Sequence, residues 1–232
     1  MSVAENTAEQ QLQQEFNRWA AEGRGEEMER HHLPITAPVL DLMQLRPADR
    51  VLDLGCGAGW ATRLLAARVP EGKVIGVDIS DEMIERARRS SASFSNIEFA
   101  VGSSEKIPSA DDSFDKALSI ESFYYYPDQG AALDELRRVL KPGGRFFILI
   151  NLYKDNPYSL RWVQALQVPV HALSEAEYLR LIRAHGFKQA EARRIPDDSP
   201  TPETYSGKWF SNAAELREFK RIGALLLTAS KP

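Results

Sequence analysis

Val51 to Trp60 reads VLDLGCGAGW, an apolar run that drives straight into glycines at 55, 57 and 59, and KVIGVD at 73–78 ends the next apolar run on an aspartate. A strand that turns sharply into a helix needs residues without a Cβ where the backbone bends and where a ligand must approach it. The helix that follows, from about Ala58, turns its unpaired amide groups toward that ligand. Asp78 lies nineteen residues beyond Gly59, the spacing of one strand–helix–strand unit, where a carboxylate can accept hydrogen bonds from both hydroxyls of a ribose. The pair predicts a nucleotide-containing cofactor with Asp78 on its ribose.

Outward from this unit, residues 7–22 read as a helix, and a second helix is expected from about Pro34 to Leu45, ended by Pro47, with GRGEEMERHH as the connection. Strands are expected at 50–54, 73–77, 97–101 and 113–119. Ser80 or Asp81 should cap the helix DEMIERARRSS, and AALDELRRVL should be helical from about Asp128. Lys141-Pro-Gly-Gly should stop that helix and turn the chain into the strand RFFILI. A helix at 174–185, a strand at 187–195, a helix at 212–222 and a strand at 224–229 follow, with the Pro-rich PDDSPTPETY as a surface loop. This alternation predicts a parallel sheet covered on both faces. NLYKDNPYSLRWVQALQVPVHAL interrupts it and reads as a cap over an acceptor.

Composition narrows the function classes. The 232 residues are 43% apolar, enough for a sizeable core, and show no linker or internal repeat. Lys and Arg total 29 against 33 for Asp and Glu, a net charge of −4, which disfavours nucleic acid as a partner. Arg88-Arg89, Arg137-Arg138 and Arg193-Arg194 read as solvated helix faces or ends. Cys56, the single cysteine, excludes an internal disulfide and a CxxC metal site, and reads as a small side chain filling space under the turn. The polar start MSVAENTAEQQLQQEF lacks the features of a signal peptide, no apolar run approaches about 18 residues, and the cytoplasm is the expected compartment. There is no tight His/Asp/Glu cluster for a metal and no G-x-S-x-G elbow for a nucleophile.

The glycines fall as Gly55-x-Gly57-x-Gly59 behind Asp53, not as the G-x-G-x-x-G of a dinucleotide site. DLGCGAG, GVDIS, EKIPSADDSFDKALS and LKPGG, in this order over roughly residues 35–190 plus the terminal strand, resemble the class I S-adenosylmethionine-dependent methyltransferases. The likeness is greatest to the small-molecule branch that includes quinone-biosynthesis C-methyltransferases. The resemblance implies a Rossmann-like, doubly wound α/β fold with a mostly parallel seven-stranded sheet, the seventh strand antiparallel between the fifth and sixth. It implies S-adenosylmethionine as cofactor and S-adenosylhomocysteine as product. One domain is expected, with 1–34 as a helical lid, 35–150 as the cofactor-binding core, 151–173 as the acceptor cap and 174–232 as the C-terminal helices and strands.

By the same resemblance, the backbone of Gly55, Cys56, Gly57 and Gly59 lies under the methionine part of the cofactor. Asp53 either helps hold its amino group or braces the loop. Ile79 faces the adenine after Asp78 on the ribose, and Met83 either adds to that face or packs in the core. In VGSSEKIP, Ser103 stands where relatives often carry an aspartate for the adenine amino group, and the Ser104 amide donates to the ring. Ser119 lies beside the cofactor through its backbone.

The turn Ile120-Glu121-Ser122-Phe123-Tyr124-Tyr125-Tyr126-Pro127 is expected to pass the transferable methyl group. Aromatic walls suit alignment and water exclusion around a sulfonium, so Phe123, Tyr124, Tyr125 and Tyr126 are candidates, with at least one tyrosine facing the site. The turn lacks N-P-P-Y and D-P-P-Y, which lowers nucleobase and glutamine methylation. Glu121 reads equally as a general base or amine partner and as a salt-bridge residue. His31 and His32 are candidate bases in the segment that closes over the cofactor in relatives. Trp19, Tyr153, Trp162 and His171 either line the acceptor site or anchor the lids. The sequence thus predicts methyl transfer to a small, partly apolar or aromatic acceptor, by a monomer or homodimer with neither nucleic acid nor membrane as partner. The rivals are a non-catalytic cofactor-binding partner subunit, a protein or RNA methyltransferase, and a nicotinamide-dependent oxidoreductase.

Overall fold

The computed structural model describes residues 7–207 and 209–232, apart from the side chains of residues 25–27 and 165. Seven strands form one sheet in the order β3-β2-β1-β4-β5-β7-β6. They are β1 (Arg50–Leu54), β2 (Lys73–Asp78), β3 (Ile97–Val101), β4 (Phe114–Ile120), β5 (Leu140–Ile150), β6 (Lys188–Ile195) and β7 (Ala224–Ser230). The first five pair in parallel, and β7 runs antiparallel between β5 and β6. Among the described residues seven α-helices flank the sheet: α1 (Ala8–Ala21), α2 (Arg24–Leu42), α3 (Trp60–Arg68), α4 (Asp81–Ser90), α5 (Gln129–Val139), α6 (Glu175–Ala184) and α7 (Ala213–Ile222).

Strands covered on both faces must be apolar on both, and β1 is: Leu52 and Leu54 enter one core while Val51 enters the other. The first core joins these residues to Met83 of α4, Leu133 and Leu136 of α5, and Tyr178 and Ile182 of α6. The second sets Ile35, Val39 and Leu40 of α2 against Trp60 and Leu65 of α3 and Phe147 and Leu149 of β5. The strand order reverses between β1 and β4, and the crevice outside the carboxyl ends of the strands at that point is the usual ligand position in such sheets.

Two expectations are corrected. The second helix begins at Arg24, so the GRGEEMERHH segment is helical from that point, and Pro34 and Pro38 lie inside α2. An interior proline removes a backbone donor; here Ile35, Val39 and Leu40, buried against α3, hold the segment through packing instead. The fifth strand begins at Leu140, not after Gly144, because Leu140 already pairs with Phe114 across a register shift and the Gly143 amide donates to Lys231.

Candidate active site

Three glycines shape the loop after β1, each for its own reason. Gly55 has φ +76°, and a Cβ there would lie 2.5 Å from Ser122 Oγ, so its bareness admits the turn after β4. Gly59, at φ +77°, would meet the Phe99 ring at 2.8 Å, so its bareness lets α3 pack on the sheet. Only Gly57 opens outward: at φ +51° its Cβ direction meets nothing within 4 Å. A backbone surface free for a ligand is therefore concentrated at Gly57.

Asp78, at the end of β2, turns its carboxylate to this loop, accepting from the Gly57 amide at 2.8 Å and the Ser80 amide at 2.9 Å. Burial raises its pKa, and those amides oppose the rise. Each carboxylate oxygen has a second lone pair for a ligand. Ile79 beside it is half-buried, and the Ser80 hydroxyl caps α4 by accepting from Met83 at 3.0 Å. Met83 itself is buried in the core, so core packing is the reading its position favours.

Asp53 is 1% exposed and accepts from the Thr62 hydroxyl at 2.6 Å. Burial pushes its pKa up to about 7, the Thr62 bond opposes this, and the nearby Asp78 charge adds to it. This is the geometry of a brace between β1 and α3. Cys56 points inward under the loop, toward Gly76, which leaves its backbone and not its thiol to the crevice. Ser103 is half-buried in a bridge with Lys106, and Ser104 is buried beside it.

Across the crevice, the turn after β4 separates its aromatic rings. Tyr126 Oη donates to the Leu54 carbonyl at 3.2 Å and lies 3.0 Å from Ser122 Oγ and 3.2 Å from Ser119 Oγ. These bonds tie β4 to β1 and make Tyr126 a strut. Phe123 is fully buried between Tyr126 and Tyr178, a core-packing position. Tyr124 and Tyr125 pack on each other, with ring centroids 4.5 Å apart. Tyr125 meets Phe16 at 5.3 Å and Trp19 at 6.0 Å, both edge-on, so α1 roofs the turn.

α1 earns that position from its sequence. Thr7 and Gln10 form a capping box, and Leu12, Phe16 and Trp19 share one helical face. Trp19 donates its indole N–H to Glu15 at 2.7 Å. Asn17 then reaches the cofactor side, accepting from Ser80 Oγ at 2.6 Å and donating to Asp81 at 2.8 Å. One helix therefore spans both halves of the crevice. Asn17 and Phe16 were missed in the sequence; their only signal was the amphipathic face on which Phe16 sits and Asn17 borders.

Glu121 sits between these groups at φ +53°, a left-handed backbone that a non-glycine residue seldom adopts. Its carboxylate accepts from the Asn151 amide at 2.6 Å and from Tyr124 Oη at 3.0 Å. Burial raises its pKa to about 7, against the opposing bonds from Tyr124 and Asn151. No salt bridge to Glu121 is found among the described residues, which removes that reading of it.

The other predicted lining residues lie elsewhere. His31 is exposed on α2, and His32, with its pKa lowered to about 4 by burial and by His31, is a poor base near neutrality. Tyr153 is fully buried, donates to the Gly223 carbonyl at 2.8 Å and lies under the Arg194 guanidinium, so it anchors the cap to β7 and β6. Trp162 packs on Trp209, Phe210 and Phe219 beside α7, again as an anchor. His171 is exposed, while its backbone N–H donates to the Tyr124 carbonyl at 2.7 Å. For Tyr153 and Trp162 these contacts favour the lid-anchoring one of the two readings the sequence left open. No metal-binding cluster and no helix long and apolar enough to cross a membrane occur among the described residues.

A family model described as a methyltransferase domain matches residues 45–186. The demethylmenaquinone methyltransferase of Symbiobacterium thermophilum is 43% identical over 108 residues, 45% of this chain and 43% of that protein. The O-methyltransferase cnsE of Penicillium expansum is 29% identical over 210 residues, 82% of this chain and 75% of that protein. For two further curated relatives the chain spans only 31% and 43% of their length. Among solved structures, the methyltransferase-like chain of a complex with the Haloferax volcanii Trm112 methyltransferase activator superposes with a TM-score of 0.88 at 34% identity, over 94% of this chain and 98% of that one. The geranyl diphosphate C-methyltransferase of Streptomyces coelicolor A3(2), solved with S-adenosyl-L-homocysteine, shares the fold with a TM-score of 0.68 at 19% identity, over 85% of this chain and 79% of that one.

Proposed function

This chain belongs to the methyltransferase domain family, as a class I S-adenosylmethionine-dependent methyltransferase, and we propose that its acceptor is a small molecule with a planar, partly apolar body. When bound, S-adenosylmethionine supplies an electrophilic methyl group on a sulfonium. Asp78 and the Gly57 backbone would hold its ribose and methionine portions, with Ile79 against the adenine. The outward-opening Gly57 beside a strand-end carboxylate fits such a group. Residues 7–34 act as a lid and 151–173 as a cap, which leaves Tyr124, Tyr125, Phe16 and Trp19 to enclose the acceptor and exclude water.

The carrying observation is that aromatic roof, closed by a helix that also grips the cofactor side through Asn17. The relatives named as demethylmenaquinone and O-methyltransferases support a small acceptor with an aromatic or enolic body. Transfer of labelled methyl to a panel of phenols, quinols, thiols and amines tests it. Methylation of one chemical class supports the reading, and label found only in protein or RNA contradicts it.

The likeness to the chain solved with the Trm112 methyltransferase activator is compatible with a second reading, the protein or RNA methyltransferase weighed above, working with an activator protein. β3 is an open sheet edge whose Val101 is 45% exposed. Adding the Haloferax volcanii Trm112 protein to the same assay separates the two: label entering RNA or protein only in its presence selects the second.

A further inference from the structure

We propose that Glu121 is the general base of the reaction, held by Tyr124 as a positioning residue, and that the acceptor is a phenol or enol whose hydroxyl proton Glu121 removes. This rests on the methyl-transfer reading above and narrows its substrate class.

The case starts from geometry. Glu121 follows directly on β4, at the point where the strand order reverses, and its backbone is forced to φ +53°. Non-glycine residues are seldom held there and persist where the surroundings fix them. Here the Glu121 amide donates to the Leu149 carbonyl at 2.9 Å while its own carboxylate takes the amide of Asn151, the first residue after β5, at 2.6 Å. The strained turn thus carries the carboxyl group back to the β5 end of the crevice, and Tyr124 Oη fixes its second oxygen at 3.0 Å. A carboxylate has about four acceptor sites, so two remain for an incoming hydroxyl.

The groups around it decide what it can do. From its own turn come the Tyr124 and Tyr125 phenols, from just past β5 the Asn151 amide and side chain, and from α6 the Tyr178 phenol. Farther out, Glu15 of α1 and Arg24 of α2 act on Tyr125. The direct partners of Glu121 are neutral donors and none is a cation, so the carboxylate is not committed to a structural ion pair. Its pKa of about 7 is matched to taking and releasing a proton at neutral pH, whereas His32 at about 4 is not. The T-shaped wall of Phe16, Trp19 and Tyr125 suits a planar ring carrying that hydroxyl.

The step balances. The acceptor O–H bond breaks and its proton passes to Glu121, the oxygen pair forms the new O–CH3 bond, and the methyl–sulfur bond breaks with its electrons returning to sulfur. The anionic carboxylate and cationic sulfonium become a neutral acid and a neutral thioether, and Glu121 then returns its proton to water.

Glu121→Gln keeps an oxygen for the Asn151 amide, and Tyr124→Phe removes the donor that favours the ionised carboxylate. Infrared titration of the protein without cofactor or acceptor should show a carboxyl band near pH 7 that is missing in Glu121→Gln and shifted to higher pH in Tyr124→Phe. The difference between wild type and Glu121→Gln separates it from Asp53, which titrates in the same range. With a graded series of phenols, wild-type kcat should rise with pH through about 7. Glu121→Gln should lower it about 100-fold and flatten the profile with S-adenosylhomocysteine affinity retained, and Tyr124→Phe should move the profile upward. A rate and pH profile unchanged in Glu121→Gln would overturn the proposal, as would a carboxyl band unmoved by Tyr124→Phe, which decides alone if Glu121→Gln does not fold. Phenols left unmethylated by a protein that binds S-adenosylhomocysteine would overturn this inference alone; failure to bind it would remove the underlying reading as well.

Discussion

The two halves of the crevice are built from opposite materials. On the β1–β2 side the ligand surface is backbone and one carboxylate: Gly57, its amide bonded to Asp78, and the capped start of α4. On the β4–β5 side it is side chains: two tyrosines, a strained glutamate and a roof of Phe16 and Trp19. A backbone surface cannot vary without breaking the fold, whereas a side-chain surface can be rewritten at little cost to it. The first half therefore reports the cofactor and the second the acceptor.

The seam between the halves is where the contrast breaks first. Gly55→Ala places a methyl group 2.5 Å from Ser122 Oγ at φ +76°, and urea unfolding should show a loss of about 3 kcal/mol. A silent substitution would mean that the two halves are not locked together there. A smaller effect should follow from Asp53→Asn. An acid with a raised folded pKa disfavours the folded state once the unfolded form ionises, so stability is lost as pH rises from 3.8 through about 7. The asparagine variant, which can still accept from Thr62, should lack that loss and gain on the order of 2 kcal/mol near neutrality. Equal pH dependence in both proteins would place the charge of Asp53 elsewhere. The smallest effect sharpens the contrast inside the aromatic turn. Tyr126→Phe should cost about 1 kcal/mol of stability through its bonds to Leu54, Ser119 and Ser122 and leave the pH profile of transfer in place. A shifted profile would make Tyr126 part of the acceptor machinery.

The same contrast explains how much was legible. A glycine loop ending a strand and an aspartate closing the next strand carry their geometry in the sequence, and the strand order followed from the family resemblance. Even there the reason for Gly55 was not visible, because its neighbour is Ser122, far along the chain. The start of α2 was hidden by Pro34 and Pro38, since packing on α3 outweighs local preference. In the four-ring run Phe123 to Tyr126, one short turn has no periodicity to say which ring faces inward. In the cap, Tyr153 and Trp162 have the contacts of anchors, a choice between lining and anchoring that the sequence alone left open.

The most direct measurement is calorimetric titration of wild type and Asp78→Ala with S-adenosylhomocysteine, with NAD as the control. The structure predicts that S-adenosylhomocysteine binds wild type, that NAD does not, and that Asp78→Ala weakens binding roughly 10- to 100-fold. Equal affinity in a folded Asp78→Ala protein would contradict the assignment of the cofactor to the β1–β2 half.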